Sequence, residues 1–152
     1  MVFINNQTKH HLPKRRLLKI TKSFLKERGR KEQEVSLVFV EPEFMRHLNL
    51  KYRGLDKTTD ILSFPVLEGG PVLGEIFINL EAFEDLTSYQ EILNLLGASS
   101  LKSKKQFRLL LDFILVHGLL HLIGYDDERP EEREQMLRLG KDFLVKHGII
   151  KR

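Results

Sequence analysis

His117 and His121 stand four residues apart inside an apolar run, and Gly124, Asp126 and Asp127 follow directly. On an α-helix, residues i and i+4 share one face about one turn apart. Two imidazoles placed in this way can hold one metal ion and leave other coordination positions open. A glycine at 124 can take the left-handed conformation that ends a helix. The chain then turns back and offers a carboxylate, Asp126 or Asp127, as a third ligand. Spacing does not separate these two acids. Three protein ligands plus water form a catalytic metal site, in which the ion lowers the pKa of water and polarises a phosphate oxygen.

A plainer origin for the pair has to be weighed. Six histidines in 152 residues give about 0.2 pairs at this spacing by chance. The surroundings add more than the spacing does. Residues 106–123 are apolar almost all round, the mark of a buried helix. A buried imidazole needs a partner for each ring nitrogen. A shared metal ion would supply one, and separate hydrogen bonds to core groups would supply another. Gly118 departs from the zinc-peptidase pattern His-Glu-x-x-His, in which the glutamate is the general base. Glu75 or Asp126 would have to take that part from elsewhere. Arg53 could clamp two phosphate oxygens with its planar fork, or simply cap a helix end. Lys51 and Tyr52 are weaker neighbours. Asp60 and Ser63 fit a strand or pocket wall, and Ser63 has no histidine near it in sequence to make it a nucleophile. His10, His11, His47 and His147 read as exposed or structural.

The stretch His117-Gly-Leu-Leu-His121-Leu-Ile-Gly-Tyr-Asp126 resembles the signature of the YbeY family of bacterial endoribonucleases and ribosomal RNA maturation factors, His-Gly-x-x-His-Leu-x-Gly-Tyr-Asp-His. Two more patches resemble the family in the family's order: Asn49-Leu-Lys-Tyr-Arg53 with Thr59-Asp60-Ile-Leu-Ser63-Phe64-Pro65, and Leu73-Gly74-Glu75-Ile76, close to Gly-Asp-Ile. Where the family has a third histidine, this chain has Asp127. The resemblance implies that position 127 supplies the third metal ligand and that Arg53 is the functional arginine. Carboxylate is itself an ordinary zinc ligand. Asp126 and Glu75 remain as supporting or proton-accepting groups. The resemblance further implies one zinc ion per chain, with another divalent metal as the alternative. It implies cleavage of single-stranded RNA, a role at the 3′ end of small-subunit ribosomal RNA and in ribosome quality control, and the small subunit as a partner. Two other classes fit the residues: a metallohydrolase acting on peptides or small molecules, which Gly118 disfavours, and a non-catalytic ribosome- or RNA-binding factor with a structural metal.

These residues need elements to carry them. Val2–Asn6 and Val35–Val40 read as strands, the latter rich in β-branched and aromatic residues. Pro13 sets a helix whose apolar stripe is Leu17, Leu18, Ile20, Phe24 and Leu25, stopped by Gly29. Glu41-Pro42 opens a second helix, with Phe44, Met45 and Leu48 toward the core and Gly54 closing it just past Arg53. Residues 60–66 and 74–80 read as strands joined through Gly69, Gly70 and Pro71 in a hairpin connection. Residues 81–97 read as a helix, 98–105 as a polar loop and 105–123 as the buried helix. Pro130 with Glu131 and Glu132 starts a last helix, with Met136, Leu137, Leu139, Phe143 and Leu144 on its core face and Gly148 as its stop. The pattern predicts one α+β domain over 1–152. It would be a small mixed sheet of about four strands packed with helices, with the metal site on the buried helix.

The chain has no cysteine, which excludes disulfides and thiolate ligands and fits a reducing cytoplasm. No charged-then-apolar leader is visible at the N-terminus, and no run suits a membrane span. The net charge of +4 is unevenly spread. The first 31 residues hold ten Lys or Arg and one acid, a net +9, while the remainder holds 15 basic and 20 acidic residues, a net −5. Lys14, Arg15, Lys19 and Lys22 decorate the polar side of the first helix. Such a face attracts RNA in a salt-dependent manner, or is simply solvated.

Overall fold

The computed structural model describes residues 1–66 and 69–151. In chain order the elements are β1 (Val2–Asn6), α1 (Lys14–Glu27), β2 (Glu34–Phe39), α2 (Pro42–Arg53), β3 (Ile61–Pro65), β4 (Val72–Ile78), α3 (Gln90–Leu95), α4 (Ser103–Leu122) and α5 (Pro130–Lys146). The strands form one mixed sheet in the order β1-β2-β4-β3. β1 and β4 both run parallel to β2, and β3 runs antiparallel to β4. The expected α+β class is what forms. The hairpin connection expected between β3 and β4 includes residues 67 and 68, which lie outside the described residues.

Alternation along the strands divides the core in two. Val35, Leu37 and Phe39 of β2 and Ile76 and Ile78 of β4 face the helical side, where they meet α1, α4 and α5. On the other face Val38, Leu62, Phe64 and Phe77 pack with Met45 and Leu48 of α2. The central piece is α4. Leu110, Phe113, Leu115, Val116, Leu119 and Leu120 are all fully buried, so this helix is covered on every side by the sheet, α1 and α5. Asp112 is the one acid of α4 and is also fully buried. Arg16 of α1 answers it with a two-pronged ion pair through Nε and Nη2. Burial pushes the Asp112 carboxyl up, and Arg16 and then Arg108 oppose that.

Two expectations are corrected. Phe44 does not enter the core; it is an exposed residue of α2 whose ring stacks on Phe77 at 6.4 Å. The helix expected over 81–97 is broken into two 3₁₀ turns, Leu80–Glu84 and Leu86–Tyr89, followed by α3. The cause is local capping. Asn79 accepts a hydrogen bond from the Glu81 backbone N–H, and Asp85 accepts from the Thr87 N–H and the Ser88 hydroxyl. A side-chain oxygen that captures the backbone two residues on restarts the chain rather than letting one helix run through.

β3 is an edge strand. Its pairing with β4 runs through Asp60, whose carbonyl accepts from the Asn79 N–H, and Val66, whose N–H donates to the Leu73 carbonyl. Residues alternate in an antiparallel ladder, so the backbone of Ile61, Ser63 and Pro65 is turned to the free edge. Proline at 65 has no N–H to leave bare there.

Candidate metal centre

The floor of the site is the C-terminal half of α4, and a glycine sets how close it lies. A Cβ added at Gly118 would fall 2.6 Å from Ile61 Cδ1, 3.2 Å from Ser63 Oγ and 3.3 Å from Ile76 Cγ2. The Ser63 hydroxyl donates to the Gly118 carbonyl at 3.0 Å, pinning the helix to the edge strand. Glycine at the departure from the peptidase pattern lets α4 lie close on β3, and a long side chain there would have to displace Ile61, Ser63 and Ile76. Gly118→Glu, which would write that pattern, is expected to destabilise the fold by more than about 3 kcal/mol through overpacking and a buried charge. It should gain no peptidase activity. Thermal unfolding and a peptide-cleavage assay check both parts.

α4 ends as the glycine predicts. Gly124 has φ +108°, its N–H donates to the His121 carbonyl, and the Tyr125 N–H reaches back to the Leu120 carbonyl. This pair of reversed bonds is the Schellman ending, and it folds residues 125–127 back over the helix face. Asp127 Oδ2 then lies 3.1 Å from His117 Nε2 and 3.5 Å from His121 Nε2, and the two Nε2 atoms are 3.2 Å apart. Two atoms each about 2.05 Å from a tetrahedral zinc ion lie about 3.3 Å from one another. The three donors have that spacing, and His117, His121 and Asp127 could hold a metal ion.

The tautomer of His121 suits a ligand. His121 Nδ1 is 3.0 Å from the Tyr125 carbonyl oxygen, which can only accept, so Nδ1 carries the proton and Nε2 keeps its lone pair. His117 Nδ1 is buried with no hydrogen-bond partner among the described residues, and its ring lies along Phe113 at 6.5 Å. Burial first, and then the neighbouring His121, push the His117 pKa below its ordinary value, while Asp127 pulls the other way. A neutral imidazole is the form a metal ligand needs. Side-chain exposure climbs from 14% at His117 to 26% at His121 and 36% at Asp127, so the donors open outward.

They open into a cleft of about 520 Å³ whose walls include Arg53, Asp60, Ser63, Asp126, Glu128 and Arg133. Arg53 projects from the last residue of α2. At that helix end the Gly54 N–H donates to the Leu50 carbonyl and the Leu55 N–H to the Asn49 carbonyl. Those two carbonyls need no cap from Arg53. The following loop is tied down by Arg46 on Asp56 at 2.7 Å and by Asn49 Nδ2 on the Lys57 carbonyl at 2.8 Å. Asp126 lines the cleft, and its Oδ1 accepts from the Asp127 N–H at 2.8 Å, which sets the turn that carries Asp127.

Glu75 lies elsewhere. It alternates with Ile76, so it is exposed on the sheet face away from α4 and is absent from the cleft walls. It is removed as a candidate base. Lys14, Arg15, Lys19 and Lys22 are exposed, but none lines the cleft; α1 packs on α4 and β1, at the edge of the sheet opposite β3. Sequence reasoning missed Arg133, Glu128 and the Tyr89 hydroxyl, which donates to Asp60 Oδ2 at 2.9 Å. Arg133 had a signal: it is a cation in the otherwise acidic start of α5, where the helix dipole disfavours it.

Known proteins share both the fold and the sequence. The solution structure of TM1509 from Thermotoga maritima matches with a TM-score of 0.58 at 22% identity, over 97% of this chain and 91% of that one, which marks a common fold. The endoribonuclease YbeY of Desulforamulus reducens is 33% identical over 156 residues, covering 97% of both chains. That of Chlorobium phaeovibrioides is 32% identical and covers 93% of this chain and 86% of its own length. That of Anaeromyxobacter sp. (strain Fw109-5) is 34% identical; it covers 90% of this chain, which spans 66% of that longer sequence. A family model described as Endoribonuclease YbeY matches residues 3–148, so from its first strand to the end of its last helix the chain belongs to the endoribonuclease YbeY family.

Proposed function

We propose that this protein is a metal-dependent endoribonuclease specific for single strands, with one zinc ion held by His117, His121 and Asp127. The observation that carries the reading is that three donors at metal-binding spacing and the guanidinium of Arg53 share one open cleft. The printed names of the relatives support it. A bound divalent ion would lower the pKa of water and polarise a phosphate oxygen. Arg53 grips two oxygens of the scissile phosphate and stabilises the charge that gathers on them. Asp126 takes the proton of the attacking water, held in place by its bond to the Asp127 N–H. The substrate we assign is the 3′ end of small-subunit ribosomal RNA, with the small subunit as partner and ribosome quality control as the setting. That setting places the protein in the cytoplasm. No helix among the described residues is long and apolar enough to cross a membrane.

Elemental analysis and RNA cleavage test this together. The metal-replete parent should carry about one divalent ion per chain and cut labelled single-stranded RNA while sparing the duplex. His117→Ala/His121→Ala should lose both ion and cleavage yet stay folded, because α4 keeps its apolar contacts on every side. Equal metal content in the two proteins, or intact RNA with the replete parent, overturns the reading.

The basic face of α1 acts at a distance in this scheme. Neutralising Lys14, Arg15, Lys19 and Lys22 is expected to weaken RNA binding and to flatten its salt dependence, by up to about 0.7 in log–log slope per lost phosphate contact. An unchanged slope assigns those residues to solvation.

A further inference from the structure

The cleft poses a charge problem. Asp60, Asp126, Asp127 and Glu128 face it, against Arg53 and Arg133. The two arginines together offset half of that negative charge before any ion binds, and without Arg133 a phosphodiester strand would meet a more strongly negative cleft. Arg133 is engaged elsewhere. Its Nη1 and Nη2 donate to Glu91 Oε1 and Oε2 at 2.8 and 3.2 Å. The side chains are 47% and 66% exposed, so water screens the pair and competes for both partners. A phosphate offers the same fork two oxygens of the same geometry. Helix stability gives no reason for a cation at this turn of α5.

Position gives one. Arg133, Ile92 and Leu137 border both the metal cleft and a second groove that runs between α3 and α5. Arg138, Lys141 and Lys146 lie along that groove beside Glu134 and Asp142, and Lys146 is paired with Glu27 at 3.2 Å. Arg133 stands at the junction, where a strand leaving the cleft would cross into the groove.

We propose that Arg133 is a second phosphate-binding residue, which grips the phosphate next to the scissile one, and that Glu91 is its internal competitor, displaced when the strand arrives. The assignment rests on the ribonuclease reading above. Arg133 acts in binding, so its effect falls on KM more than on kcat. Glu91 occupies the guanidinium in the free protein and turns to solvent in the complex.

The test uses the full chain and a fluorescein-labelled single-stranded oligoribonucleotide of about twelve nucleotides. Steady-state cleavage gives KM and kcat, and anisotropy in EDTA gives binding without cleavage. Arg133→Ala is expected to raise KM and weaken EDTA binding about tenfold, and to lower the salt slope by about 0.7. Glu91→Gln is expected to do the reverse, lowering KM about threefold, and to have no such effect in the Arg133→Ala background. If Glu91→Gln leaves KM and EDTA binding unchanged while the melting temperature falls, the pair is only a tie between α3 and α5, and the proposal fails. A replete parent that cleaves RNA, beside a Glu91→Gln variant with the parent's KM, overturns this assignment alone. A parent that leaves RNA intact overturns the function reading, and this proposal with it.

Discussion

Arg53→Ala should keep its metal and its fold and lose about a hundredfold in kcat on single-stranded RNA. The magnitude is that of removing one preorganised donor from a site where charge develops on oxygen. The structure weakens the competing account of a helix cap, because backbone N–H groups of Gly54 and Leu55 already satisfy the carbonyls of Leu50 and Asn49. It also explains why the guanidinium can be aimed. The loop behind it is fastened by Arg46 to Asp56, by Asn49 to Lys57, and by the Thr58 hydroxyl to the Pro42 carbonyl at 3.0 Å. Arg53→Lys should recover only part of the loss, since an ammonium carries the charge without the fork. KM should move less than kcat if the contact strengthens in the transition state. An Arg53→Ala protein that cleaves at the parent's rate would reduce Arg53 to a surface residue. One that loses metal or melts early would make it structural.

The sequence was most informative where pattern and packing agree. The 105–123 run, apolar on all sides, is α4, and its histidine pair and terminal glycine were readable because helical spacing and left-handed glycine act over a single turn. Capping side chains were harder to read. Asn79 and Asp85 break residues 81–97 into three pieces, although apolar spacing alone favours one helix. Glu75 shows a different limit. Its neighbours Gly74 and Ile76 resemble the family pattern, but which face of β4 it occupies depends on pairing register, which a motif does not contain. Arg133 reaches the cleft, and Tyr89 its wall residue Asp60, only through tertiary packing, from segments 42 and 29 residues distant in sequence from the partners they bind.

The largest effect on the metal centre is expected at Asp127, where the signature this stretch resembles carries a histidine. Asp127→Ala should lower metal affinity by more than about a hundredfold, beyond what loss of a supporting contact costs. Asp126→Ala should cost less, because Asp126 bonds the Asp127 backbone rather than facing the imidazoles. The distances favour this order, with Asp127 Oδ2 within 3.5 Å of both Nε2 atoms. Asp127→His should still bind zinc, since an imidazole meets the same tetrahedral demand. It would raise the net charge of ion plus ligands by one unit and so lower the pKa of bound water. The acid limb of the pH–rate profile should then move to lower pH. Metal titrations of the three variants, followed by that profile, decide the matter. If Asp126→Ala releases the ion while Asp127→Ala retains it, Asp126 is the ligand and the turn after Gly124 rearranges to bring it in.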